Sequence, residues 1–210
     1  MESINIAIFA SGSGTNAQNI IEHIAKSGGK ISATNGHHTN EQIVAHINVS
    51  LVLSNKRDAF VLERAKRLGV NCHVFTAADL REGESIDNIL SENNIKFIVL
   101  AGFLLKFPDR LVSAYKGRII NLHPSLLPKF GGKGMYGDAV HKAVIESGER
   151  ESGITVHLVD EHYDNGEHLF QAKCTVESGE TPESLAKKIH ALEREHLPAV
   201  ICDYILNYKR

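Results

Sequence analysis

Cysteine is scarce in this sequence. Cys72, Cys174 and Cys202 are far apart and odd in number. No CxxC spacing occurs, so neither a disulfide framework nor a zinc site is expected, and a reducing, cytoplasmic setting is the simple reading. Charge of one sign is also missing. The net charge of -2 lacks the basic excess of a protein that lives on a nucleic-acid backbone, although it says nothing against one phosphate on a small molecule. No apolar run approaches the roughly 18 residues of a membrane span. The start, "MESINIAIFASGSG", has no basic stretch before its apolar run and reads as a first strand, not a signal peptide. No GKS or GKT follows the first glycines, which excludes a nucleotide-hydrolysing P-loop.

What remains is an ordinary globular composition over 210 residues, 42% apolar and 23% charged, enough for one sizeable domain. "INIAIFA" (4–10) is a nearly continuous apolar run, as in a strand buried on both faces. After "SGSG", Ala17, Ile20, Ile21 and Ile24 follow at helical spacing. Strands are then expected at "SLVLSN" (50–55), "CHVF", "KFIVLAGF" (96–103) and "RIINLH". Helices are expected at "DAFVLERAKRLG", "ESIDNILSENN" and "PDRLVSAYKG", the last with Pro108 in its first turn. Alternation of this kind implies an α/β, Rossmann-like fold: a mostly parallel twisted sheet with helices on both faces. From about residue 153 the pattern changes. "GITVHLVD" and "HLFQAKCTV" lack an intervening helix and read as an antiparallel edge addition near the C-terminus. A closing helix begins at Thr181-Pro182, with Pro198 a possible kink. The polar stretch 27–49 reads as a long solvated connection. The adjacent His37 and His38 within it are expected to be solvated and not metal ligands.

Two features carry chemistry. Gly12-x-Gly14-x-x-Ala17 formally matches a dinucleotide fingerprint, but the second strand ends in Ser54-Asn55 where a ribose-binding acid belongs. The physical part of the motif survives: glycines let backbone amides approach an anion at a helix N-terminus. A phosphate or carboxylate site is therefore preferred to a nicotinamide site. The second feature is "NLHPSLLP" (121–128). Asn121 and His123 are two apart in a strand and project together near its carboxyl end, where open α/β sheets bind ligands. An amide that donates to an oxyanion beside an imidazole that moves protons suits acyl transfer. No serine or cysteine lies in a nucleophile-elbow pattern, so direct attack by a substrate amine is favoured over a covalent intermediate. A carboxylate should complete the set, and "VDEHYDNG" offers Asp160, Glu161 and Asp164. Spacing does not choose among them.

Taken in order, "FASGSGTN", "VLSNKRDA", "VLAGF", "INLHPSLLPKF" and "ITVHLVDEHYDNG" resemble the folate-dependent formyltransferases over nearly the whole chain. The resemblance implies 10-formyltetrahydrofolate as co-substrate, no metal, and glycinamide ribonucleotide of de novo purine synthesis as acceptor. It implies Asn121, His123 and Asp164 as the catalytic set, since the family's acid lies seven residues after the histidine of "TVHLV". Gly14, Thr15 and Asn16 would bind the acceptor's phosphate, and Glu193 would contact the acceptor. Folate would lie along Leu104, Leu105, Lys106 and Phe107 and against 160–164, within reach of Asn121 and with Arg81 on the folate side. One domain over 1–210 is expected, with a phosphate-binding half (1–100) and a folate-binding and catalytic half (101–210). Partners would be small molecules only, with no nucleic acid or membrane, in a monomer or homodimer. The chain departs from the family at Leu104-Leu105, at Asn165-Gly166, where Asn tolerates a left-handed backbone, and in a longer "GGKGMYGDAVH". A formyltetrahydrofolate hydrolase would share the three residues but usually carries a preceding regulatory domain. A tRNA formyltransferase would need a basic domain after this one. A non-catalytic phosphate-binding module would use only the glycine loop.

Overall fold

The computed structural model describes residues 3–34 and 42–208. In chain order the elements are β1 (Ser3–Phe9), α1 (Thr15–Lys26), β2 (Lys30–Thr34), β3 (Gln42–Ser54), α2 (Phe60–Arg67), β4 (Asn71–Val74), α3 (Ala77–Glu82) and α4 (Glu84–Glu92). They continue with β5 (Ile95–Leu100), α5 (Asp109–Ala114), β6 (Ile119–His123), α6 (Asp138–Glu146), β7 (Glu151–Leu158), β8 (His168–Thr175) and α7 (Pro182–Asn207). The sheet has eight strands in the order β2-β3-β1-β5-β6-β7-β8, with β4 also paired to β3. Strands β1, β3, β4, β5 and β6 pair in parallel, whereas β2, β7 and β8 are antiparallel additions.

Strand β1 explains why its sequence is apolar without alternation. Ile6, Ile8 and the following Ala10 enter one core, while Ala7 and Phe9 enter the other. Strand β5 divides in the same way, with Phe97 and Val99 on one side and Ile98 and Leu100 on the other. Both faces are covered, as a parallel sheet requires. The chain leaves β1 toward β3 on one side and later crosses to β5 on the other. The carboxyl ends of β1 and β5 thus form a topological switch point, where a crevice opens.

Several expectations change here. The stretch 27–49 is not simply a solvated connection: it holds β2 and the first part of β3 as an antiparallel hairpin, so the second main strand starts at Gln42. Ile47 and Val49 are buried, which the surrounding Asn, Gln and His concealed. His37 and His38 lie outside the described residues. The helix expected at "ESIDNILSENN" is α4, and an additional short helix, α3, precedes it and meets it at Gly83. Gly83 has φ +102, and a Cβ there would lie 2.2 Å from the Arg110 side chain. Pro108 caps α5 from outside and does not sit in its first turn. Helix α6 was not expected at all, because glycines crowd the sequence before it. Helix α7 runs through Pro198 without ending. Proline removes the N–H that would have bonded the carbonyl of Arg194. The side-chain amide of Asn19 donates to that carbonyl at 2.9 Å instead, which ties α1 to α7.

Candidate active site

The glycine loop after β1 is fixed from several directions. Ser11 N–H donates to Gly102 O at 3.0 Å, and Ser11 Oγ donates to Asn55 Oδ1 at 2.7 Å while accepting from Leu104 N–H at 3.1 Å. Asn55, at the place where a ribose-binding acid was missing, therefore holds the loop. Gly14 has φ +74, and a Cβ would meet Val61 at 2.5 Å, so both backbone and space demand glycine. Helix α1 begins without a side-chain cap or an acidic residue in its first turn. Its first internal bond runs from Gln18 N–H to Gly14 O, so the amides of Thr15, Asn16 and Ala17 have no partner within the helix. Together with the helix dipole they make an anion-binding end. The side chain of Asn16 turns to α7 and donates to Glu193 Oε2 at 2.9 Å. Burial pushes the Glu193 carboxyl above the ordinary carboxylate range, against the opposing pull of the Asn16 amide and His190.

Asn121 and His123 end β6 with side chains on one face, as a period of two requires. His157 on the neighbouring strand lies opposite Asn121. His157 Nδ1 is 2.8 Å from Leu158 O, an atom that only accepts, so Nδ1 carries the proton. Nε2 of the neutral ring is then an acceptor, and Asn121 presents its NH2 to it at 3.0 Å. This bond fixes which way the amide points and leaves its second N–H available. His123 Nε2 likewise faces a carbonyl, Phe130 O at 2.7 Å, and must be the donor. Nδ1 of the neutral His123 ring is therefore a lone pair, 3.6 Å from Asp164 Oδ2. Two acceptors face each other across a gap that a proton, or a donating group, would fill.

Burial pushes the His123 ring below its ordinary value, and His157 adds to this; Asp164 and the Phe130 carbonyl oppose it. A ring held below its ordinary value is neutral at rest near neutral pH. For Asp164, burial would raise the carboxyl, but the His157 ring, the Gly132 N–H and His123 outweigh it and hold it low. Gly132 N–H donates to Asp164 Oδ2 at 2.8 Å. Phe130 and Asp164, which flank His123, both have positive φ, 56° and 52°. Each left-handed non-glycine residue costs on the order of 1–3 kcal/mol, and such strain gathers where geometry is functionally constrained. The left-handed residue of the 160–166 turn is Asp164 itself and not Asn165. Gly166 is required for space, since a Cβ would lie 1.9 Å from Leu158 O.

One cavity of about 700 Å³ collects these groups, large enough for drug-sized ligands. It is lined by Gly14, Thr15, Asn16 and Glu193, by Asn121, His123 and Asp164, and by Leu104, Leu105, Lys106 and Phe107. Phe107 is buried and packs edge-on against Phe9 at 5.2 Å between ring centres, so this wall is anchored in the core. Leu104, Tyr136 and Tyr163 are exposed at the same cavity. Arg81, on α3, is exposed and is not among the lining residues. Sequence reasoning passed over His157, because "ITVHLV" reads as a buried strand, and the Phe130 carbonyl, because backbone acceptors leave no sequence signal. It also passed over His141, which lines the cavity from α6. Among the described residues, no group of three or more His, Cys, Asp or Glu is arranged to hold a metal ion.

Residues 4–201 match the sequence family described as formyl transferase. The chain is 40% identical over 196 residues to the chloroplastic phosphoribosylglycinamide formyltransferase of Arabidopsis thaliana, covering 91% of this chain and 61% of that protein. It is 34% identical over 202 residues to the phosphoribosylglycinamide formyltransferase of Escherichia coli, covering 94% and 85%. The crystal structure of phosphoribosylglycinamide formyltransferase from Bacillus halodurans aligns with a TM-score of 0.80 at 32% identity, covering 98% of this chain and 97% of that one. The chain thus spans about three fifths of the plant relative's length and most of the bacterial ones.

Proposed function

Because the chain belongs to the formyl transferase family, we propose that it transfers a formyl group from 10-formyltetrahydrofolate to the amino group of glycinamide ribonucleotide in purine biosynthesis. The observation that carries this reading is the convergence of Asn121, His123, His157 and Asp164 in one cavity with an uncapped helix N-terminus and the wall at 104–107. In our reading Gly14, Thr15 and Asn16 receive the acceptor's phosphate, and Glu193 its hydroxyls. Leu104 to Phe107 receive the folate. Arg81 has no part in the cavity as it stands.

The acceptor's amine nitrogen attacks the formyl carbon, and the carbonyl electron pair moves to oxygen. The second N–H of Asn121, whose first is held by His157, donates to that oxyanion. The new ammonium passes a proton to His123 Nδ1, which a neutral resting ring makes possible. The resulting imidazolium lies beside the Asp164 carboxylate and returns the proton to the folate nitrogen as the carbon–nitrogen bond breaks. A formamide and tetrahydrofolate leave. The division into a phosphate-binding half (1–100) and a catalytic half (101–210) follows from these roles. The reading holds for a monomer or a homodimer. Three free thiols suit the cytoplasm; the matched plant relative is described as chloroplastic.

Isotope tracing tests the reading. Deuterium-labelled formyl donor should yield label in the formyl group bound to the acceptor's nitrogen and none in free formate. Label recovered as formate in the presence of the acceptor would identify a hydrolase instead.

A further inference from the structure

His141 is an unusual residue in the cavity. It lies on α6, behind the glycine-rich stretch 131–137, and only 3% of it is exposed. Its Nδ1 is buried and has no hydrogen-bond partner among the described residues. A sealed atom without a partner is less costly as a lone pair than as an unpaired N–H, so the ring's proton belongs on the other nitrogen. Nε2 makes no hydrogen bond to the described residues either, yet it is not sealed away as Nδ1 is. A neutral ring sets its one proton where an acceptor can reach it. That place is Nε2, on the cavity side.

The neighbours indicate which acceptor. His190 and Glu193 face this region from α7, Asp138 lies on the same helix, and Lys133 lines the cavity from the preceding loop. The uncapped amides of Thr15 and Asn16 line the same cavity. We propose that His141 is a further acceptor-binding residue, donating from Nε2 to a phosphate oxygen held at the N-terminus of α1. The inference rests on the functional reading above, because it supposes a phosphorylated acceptor. Burial, with His190 adding to it, pushes the ring below its ordinary value, and Asp138 works the other way. An arriving phosphate dianion favours the imidazolium, so phosphate binding should take up a proton and tighten as pH falls.

Two measurements test this. In the first, inorganic phosphate is titrated into the whole protein while histidine ring resonances are followed by NMR. The His141 signals, assigned by their loss in His141→Gln, should move with phosphate and titrate at higher pH in its presence. In the second, KM for glycinamide ribonucleotide is measured against pH. His141→Leu should raise it about tenfold, the equivalent of about 1.4 kcal/mol, with the effect on KM and not on kcat. His141→Gln keeps a neutral donor and should retain wild-type KM at high pH but lose the tightening at low pH. If buried His141 variants do not fold, the phosphate titration is repeated in His190→Asn: a cavity histidine signal that still moves with phosphate and titrates at higher pH in its presence is expected, and its absence overturns the inference. Unmoved His141 signals together with an unchanged KM in His141→Leu would overturn the inference. Signals that move in a protein without formyl transfer would leave the inference standing and sink the functional reading.

Discussion

His123 Nδ1 and Asp164 Oδ2 stand 3.6 Å apart as two acceptors, and this pair sets the pH behaviour. The folded His123 lies below the ordinary imidazole value of 6.5, so the ring is a competent base at neutral pH and kcat/KM should fall as acid protonates it. Asp164 favours the imidazolium. Asp164→Asn should therefore move that acid limb to lower pH in the residual activity, and the comparison separates the enzyme's group from the acceptor amine's own titration. A limb that stays in place would mean that the two groups are not coupled. His123→Ala should lower kcat by about 10²–10⁴-fold, the usual range for a lost acid–base group. Gly14→Ala belongs to the same scale. Its Cβ has no room beside Val61 and its φ is positive, so denaturant unfolding should show a loss above about 2 kcal/mol. Asn121 and His123 were legible from a strand's period and a following proline. Asp164 was not separable from Asp160 and Glu161 by spacing, because a loop has no period to read. His157 was hidden because an imidazole inside an apolar strand looks like core.

Helix α7 shows how an element answers for its own defect. Pro198 leaves the Arg194 carbonyl without a helical donor, and Asn19 of α1 supplies one. Asn19→Ala should cost about 1 kcal/mol in chemical denaturation. In a Pro198→Ala background, where the helix can close its own bond, the same change should cost less, and a double-mutant cycle reads the difference. Equal costs in both backgrounds would show that Asn19 acts elsewhere. The start of α7 was legible, since Thr181 and Ser184 form a capping box around Pro182. The hairpin of β2 and β3 was not. Its buried positions alternate with Asn, Ser and His, and antiparallel pairing between β2 and β3 outweighed a polar composition. Helix α6 was missed for a related reason: it starts after Gly137 with no side-chain cap to announce it.

At the scale of the whole molecule, the buried titratable groups pull stability in opposite directions with pH. His123 and Asp164 are both depressed in the fold. The stability they contribute is in place above their ordinary values and is lost as pH falls through the folded ones. Glu193 is raised, so its contribution is complete below its ordinary 4.5 and is lost as pH rises through the folded value. Glu193→Gln keeps an oxygen for Asn16 and removes the ionisable group from its buried place. It should raise the melting temperature at neutral pH by about 2–4 °C, the equivalent of about 1 kcal/mol in a domain of this size, and give no gain below pH 4.5. Acceptor KM should rise in the same variant. The mostly parallel sheet with helices on both faces was readable in advance because apolar runs and glycine turns encode it. The shared cavity was not, because it is assembled from loops that meet only in three dimensions. The central claim is that this cavity passes a formyl group directly to an amine. The most direct test follows loss of the formyl group from 10-formyltetrahydrofolate with and without glycinamide ribonucleotide. The account predicts turnover only when the amine is present; turnover at the same rate without it would contradict the account.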